Sequence, residues 1–165
     1  MDLTRLAELL WLMLPAYAAN MAPPFVKYWT GWNRPINARY LGAHKTVMGF
    51  VFGIAAALAV ARVQHAVHGS AWVEWAWWQL GLAQGIGAMT GDAVKSFFKR
   101  RRGIPPGARW LPADQLDFIV GALLLSAPAL KPGVPDIAAI LALTFVGHIA
   151  VNHVAWSLGI RDAAW

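Results

Sequence analysis

Five runs without a charged side chain, residues 9–26, 46–61, 75–91, 118–130 and 137–160, divide the chain into apolar stretches and short polar connections. A helix that crosses hydrocarbon needs about 17–25 residues. The first and last runs meet that length, and the second and third approach it. The fourth is too short alone, so its helix is expected to begin near Pro112, a residue suited to a first helical turn. The pattern predicts an all-α integral membrane protein of about five transmembrane helices, forming a single domain over residues 1–165. An early start for the fourth helix sets Asp114 and Asp117 in the first turn of a membrane span. Carboxylates are costly there unless water, a cation or a partner charge meets them. The plainer alternative is a helix that surfaces early, with both carboxylates as ordinary caps.

Composition supports the membrane reading. Of 165 residues, 58% are hydrophobic and only 13% are charged, against about 25% charged in soluble domains. One core cannot hide that much apolar surface, so lipid must solvate part of it. Ten Trp against three Tyr suit a chain anchored at membrane–water interfaces. The absence of cysteine excludes disulfides, thiolate metal sites and a cysteine nucleophile. The weakly basic flank Met1-Asp2-Leu3-Thr4-Arg5, with no clear small-residue cleavage site after the first run, argues against a removable signal.

The net charge of +6 does not point to nucleic acid, because the basic residues sit in short loops between apolar runs. Lys27, Arg34, Arg39 and Lys45 lie in one connection. Lys95, Lys99, Arg100, Arg101, Arg102 and Arg109 lie in another. The opposite side holds only Arg5, Arg62 and Lys131. By the positive-inside rule, both basic loops and the C-terminus are expected on the cytoplasmic face of the cell membrane, with the N-terminus outside. Anionic lipid headgroups or a nucleotide are the partners this arrangement suits. The oligomeric state is not legible.

Candidate chemistry concentrates on that face. If the third helix continues past the bilayer, Asp92, Lys95, Ser96 and Lys99 share one face at i, i+3, i+4 and i+7. A carboxylate beside two ammonium groups and a hydroxyl can hold a metal ion at one end and phosphates at the other. A stop signal that anchors the helix to anionic lipid explains Arg100, Arg101 and Arg102, but not Asp92 and Ser96 on the lysine face. Asp114 and Asp117, in Asp114-Gln115-Leu116-Asp117, also share a face. Carboxylates of this kind hold Mg²⁺ together with substrate phosphates and water, so Asp92, Asp114 and Asp117 are the expected metal ligands. Gly42-Ala43-His44-Lys45-Thr46 opens the second span without the glycine that a phosphate loop needs before its lysine. A helix N-terminus there still favours anions, with Lys45 and Thr46 adding a charge and a hydroxyl. Asn20 either lines a polar cavity or bonds a neighbouring helix. The Gly81/Gly85 and Gly87/Gly91 spacings read as close helix packing.

Taken together, Leu14-Pro15-Ala16-Tyr17 with Asn20, Gly42-x-His44-Lys45-Thr46-x-x-Gly49, Gly91-Asp92-x-x-x-Ser96-Phe97-x-Lys99-Arg100-Arg101 and Asp114-Gln115-x-Asp117 resemble the CDP-archaeol synthase family. These motifs occur in order from Leu14 towards the closing residues 159–165. The resemblance implies an integral-membrane, CTP-dependent cytidylyltransferase, distantly related to CDP-diacylglycerol synthase. It would join CTP to an archaeol-type lipid phosphate, 2,3-bis-O-geranylgeranylglycerol 1-phosphate, and release pyrophosphate. It also implies Mg²⁺ on Asp92, Asp114 and Asp117, and Lys45, Lys95 and Lys99 neutralising phosphates. Arg100 and Arg101 would give outer support. Thr46 and Ser96, with His44, would contact phosphate or metal, and Asn20 and Gln115 would orient the nucleotide or headgroup. Where many members carry an Asp, this chain has Asn37, which adds no charge. Two rivals stand beside this reading: a synthase acting on diacyl phosphatidic acid or another lipid phosphate, and a small non-enzymatic transporter or lipid-binding protein.

Overall fold

Helix is the dominant element of the structure, a computed structural model that describes residues 2–28, 33–68, 74–105 and 108–157. The helices are α1 (Leu3–Leu12), α2 (Leu14–Met21), α3 (Ala38–Leu41), α4 (Val47–His68), α5 (Trp77–Arg101), α6 (Ala113–Leu130) and α7 (Val134–Ser157). A 3₁₀ turn, Pro23–Tyr28, follows α2. Among the described residues α4, α6 and α7 are long and apolar enough to cross a membrane, and α1 with α2 makes a fourth such unit, bent by 51°. The run 75–91 falls in α5, which has 25 residues but carries Asp92, Lys95 and Lys99 in its second half. The protein is an all-α membrane protein.

The first run is not one unbroken span. Proline has no N–H and cannot close the helical bond to the carbonyl four residues back, so Pro15 frees the Trp11 carbonyl and the helix breaks at Met13. Two buried glutamines from other helices meet the opened backbone. Gln64 Nε2 of α4 donates to Trp11 O at 2.5 Å. Gln84 of α5 donates to Leu12 O at 3.0 Å and accepts from Ala16 N at 3.2 Å. Hydrocarbon offers no water to do this. The helix of the second run continues past Arg62 to His68, with His65 and His68 in the last turn of α4. The fourth helix begins one residue after Pro112, with Asp114 in its first turn. The last begins at Val134, earlier than expected, and residues 158–160 of that run lie outside the described residues.

α5 packs against both α4 and α6, and α2 lies across all three. Leu9, Met13, Ala16, Ala88, Met89, Phe118, Ile119 and Ile140 are among the buried residues between them. The α5 glycines serve two seams, as their spacing suggested. A Cβ at Gly81 or Gly85 would meet α4 at Leu58 or Ala57, and one at Gly87 or Gly91 would run into the α6 backbone at Gly121 or Asp117. Alternation along the chain is clear from the ion pairs. Arg5 with Asp136 and Lys131 with Glu74 gather the starts of α1 and α7, the end of α6 and the approach to α5 at one end. Lys45 with Asp92 and Lys99 with Asp114 gather the starts of α4 and α6 and the end of α5 at the other.

Candidate active site

The contact between the α5 and α6 backbones places Asp92 beside Asp117. Gly91 of α5 sits against the Asp117 carbonyl, and Gly121 of α6 against the Gly87 carbonyl. No side chain separates the two helices at this level, so Asp92, next to Gly91, comes close to Asp117 across the seam. Lys95, one turn beyond Asp92, lies within 3.3 Å of Asp92 Oδ1, 3.0 Å of Asp114 Oδ1 and 3.0 Å of Asp117 Oδ2. One ammonium therefore serves three carboxylates from two helices.

Lys45 completes the cluster from the α4 side. Residues 33–46 fold back on themselves: Ile36 N donates to Lys45 O at 2.8 Å and Val47 N to Arg34 O at 3.0 Å. This pins the lysine just before α4, and its Nζ donates to Asp92 Oδ2. Thr46 Oγ1 accepts from Gly49 N at 3.1 Å and so caps α4. Asn37 caps α3 by accepting from Tyr40 N at 3.1 Å. Tyr40 then leans on Phe97, with ring centres 6.3 Å apart, which ties this segment to α5.

The carboxylates are not equivalent. Both Asp114 oxygens accept from Lys99 at 2.9 Å, and Oδ2 also accepts from Trp110 N at 2.6 Å. Lys99, buried, further donates to Ala108 O at 2.6 Å. Lys99 and Asp114 thus fasten Ala108 and Trp110 to α5 and α6. Asp117 differs: Oδ1 accepts from Phe118 N at 2.7 Å, but Oδ2 is buried beside the charge of Lys95 with no hydrogen bond among the described residues. These carboxylates converge on Lys95, and no three of the described acidic or imidazole groups surround a shared metal position.

The other expected residues are more dispersed. Ser96 is buried on α5, and Gln115 is buried on α6 with its Oε1 unbonded among the described residues. Asn20 is half-buried on α2, while His44 and Arg101 are exposed. Arg100 donates to Pro105 O at 3.2 Å and steadies the connection. The side chain of Lys27 and residues 159–165 lie outside the described residues.

One feature had no signal in the sequence. A cavity of about 660 Å³ opens along the α5–α6 seam. Val94, Phe98, Leu116, Val120, Leu124 and Leu125 are among its apolar lining, and Trp110, Leu111 and Pro112 border one end. Lys95 and Asp117 are the charged residues that line it. An apolar groove with one cation and one anion in its wall can hold an amphiphile with an anionic head.

The family model for CDP-archaeol synthase matches residues 2–165. The chain belongs to the CDP-archaeol synthase family. It is 37% identical to the CDP-archaeol synthase of Methanospirillum hungatei, over 93% of this chain and 100% of that one. It is 36% identical to that of Halobacterium salinarum, over 94% of each chain. A solved intramembrane enzyme for archaeal membrane lipid biosynthesis superposes with a TM-score of 0.77 at 31% identity, covering 89% of this chain and 94% of that one. That solved enzyme shares the membrane-embedded helical fold of this chain.

Proposed function

We propose that the protein transfers CMP from CTP to an archaeol-type lipid phosphate, giving CDP-archaeol and pyrophosphate. The observation that carries this reading is the α5–α6 groove, apolar along its length and bearing Lys95 and Asp117 where the buried charge cluster meets it. A lipid phosphate can leave its chains against Val120, Leu124 and Leu125 and bring its head to Lys95. The basic segment 33–46 and Arg102 with Arg109 lie at the same end of the bundle, which supports a cytoplasmic site facing CTP, with the N-terminus outside and five spans, α5 being the third.

The donor chemistry fits a magnesium ion. Asp92, Asp114 and Asp117 offer hard oxygens around one shared cation, and Asp117 Oδ2 is buried without a hydrogen bond. Asp92 and Asp117 would hold Mg²⁺, with Asp114 tied to Lys99 beside them, and the ion when bound would supply positive charge to the CTP phosphates. The rest of the chemistry belongs to the chain. A lipid phosphate oxygen attacks the α-phosphorus of CTP in line, a new P–O bond forms, and the bond to pyrophosphate breaks. The nucleophile is already ionised near neutral pH, so no general base is needed and catalysis reduces to positioning and charge stabilisation. Lys45 and Lys95 stand on either side of Asp92, where they can neutralise nucleotide and lipid phosphates respectively. Lys99 holds Ala108 in place, and Arg100 ties Pro105.

The test is purified protein in neutral detergent with CTP, Mg²⁺ and one lipid at a time. CDP-lipid and pyrophosphate should form with the archaeol-type phosphate and not with the matched lipid alcohol. Faster turnover of diacyl phosphatidic acid would move the assignment to the diacyl rival. No pyrophosphate with any lipid phosphate would overturn it.

A further inference from the structure

We propose that Arg102 and Trp110 form a headgroup clamp that selects a lipid carrying phosphate in the α5–α6 groove. The inference rests on the cytidylyltransferase reading above, and it assigns a role to two residues outside the Lys–Asp cluster. Trp110 lines the end of the groove nearest the charged residues, with Leu111 and Pro112 beside it. Arg102 is exposed at the end of α5, its guanidinium carbon 4.9 Å from the centre of the Trp110 ring. A guanidinium lying over an indole keeps its planar set of N–H donors directed outward. Those donors match the oxygens of a phosphate, which arginine can engage in pairs.

The position of the pair is fixed from below. Trp110 N donates to Asp114 Oδ2 at 2.6 Å, and Asp114 in turn is held by Lys99 and lies 3.0 Å from Lys95. The clamp and the reaction centre therefore share one carboxylate, which fixes the Trp110 backbone at the groove while Arg102 lies against its indole. An amphiphile whose chains run towards Leu124 and Leu125 brings its head between the Lys95 wall and the Trp110 edge. Lys95 supplies one positive charge inside, and Arg102 supplies a second outside. A neutral glycerolipid meets the same apolar walls but gains nothing from either cation. The clamp thus discriminates on the headgroup, where the aliphatic walls cannot.

The experiment compares the wild-type chain with Arg102→Gln and Trp110→Leu, in neutral detergent. For each variant the apparent KM for the lipid phosphate should rise about five-fold, as expected for one exposed cation–phosphate contact, with kcat and the KM for CTP unchanged. Lipid retention measured by native mass spectrometry gives a readout independent of turnover. Wild type should retain the dialkylglycerol phosphate over the matched dialkylglycerol, and Arg102→Gln should lose about five-fold of that preference. Equimolar inorganic phosphate should not displace the retained lipid; displacement would mean a free-phosphate site and overturn the clamp. An unchanged lipid KM with unchanged retention would also overturn it, as would a loss carried wholly by kcat. If wild type turns over no lipid phosphate, the cytidylyltransferase reading fails, and the retention experiment still decides the clamp.

Discussion

Ion pairs close both ends of this bundle, yet the two ends are built differently. At the far end Arg5 meets Asp136 and Lys131 meets Glu74, and both Lys131 and Glu74 side chains are 66% exposed. At the near end Lys45, Lys95 and Lys99 share Asp92, Asp114 and Asp117, whose side chains are 5–20% exposed. Exposed pairs contribute about 0–1 kcal/mol. Buried charges must recover a desolvation cost of several kcal/mol, and well-packed apolar residues often serve stability as well or better. Stability accounts for the far end. It does not account for five ion pairs around one helix seam, an arrangement that fits the chemistry proposed above.

The largest expected effect breaks that chemistry and spares the fold. Asp117→Asn keeps the side-chain volume and an oxygen to accept from Phe118 N, but removes the charge beside Lys95. Pyrophosphate release should fall at least about 100-fold, the scale for losing one charged group aimed at a transition state. Near-normal release by a folded Asp117→Asn protein would remove Asp117 from the site.

Next in size is the seam that sets the charges opposite each other. In Gly91→Ala the new Cβ meets the Asp117 carbonyl, and a backbone group cannot rotate aside. Overpacking of this kind costs about 1–3 kcal/mol, and a shift of Asp117 relative to Asp92 should lower kcat by about ten-fold. At Gly147 of α7 an added Cβ meets nothing within 4 Å, so Gly147→Ala should leave both melting and turnover unchanged. Equal losses in the two variants would show that the α5–α6 contact has no special part in aligning the site.

How much of this could be seen in the sequence depended on contrast. Charged residues in an apolar chain stand out, so Asp92, Lys95, Asp114 and Asp117 can be set at one end of the bundle from spacing alone, and the structure brings them together there. The division of labour among them was not visible: that Asp114 is engaged by Lys99 and Trp110 N follows from a loop geometry no spacing encodes. The break at Met13 was hidden for a related reason. Gln64 and Gln84 are uncharged and interrupt no hydrophobic run, so only Leu14-Pro15 hinted that two backbone carbonyls would need partners. The groove was invisible as well, because leucines and valines that face a bound lipid have the same character as those facing bulk lipid.

Those two glutamines give a smaller effect midway between the ends. Gln84→Met keeps length and volume but leaves Leu12 O without its donor. An unpaired buried carbonyl costs about 1–3 kcal/mol, so the variant should melt earlier in detergent. Its turnover at low temperature should stay within about two-fold, since Gln84 touches the helix break and not the Lys–Asp cluster. A turnover loss that exceeds the loss of folded protein would mean that the bend at Met13 itself shapes the site.

The smallest effect belongs to the far end and tests the contrast most directly. Glu74→Gln removes the charge that Lys131 meets at 2.8 Å while keeping a hydrogen-bonding side chain. Both partners already face solvent, so the lost attraction is largely replaced by water and screened by salt. Stability should change by less than about 0.5 kcal/mol, and raising the salt concentration should erase even that difference between variant and wild type. Turnover and the KM for CTP should not move, because Glu74 and the Lys–Asp cluster sit at opposite ends of α5. Were Glu74→Gln to slow pyrophosphate release several-fold at full folding, the two ends would be coupled through the length of α5. Reading the far-end pairs as simple ties between helices would then be wrong.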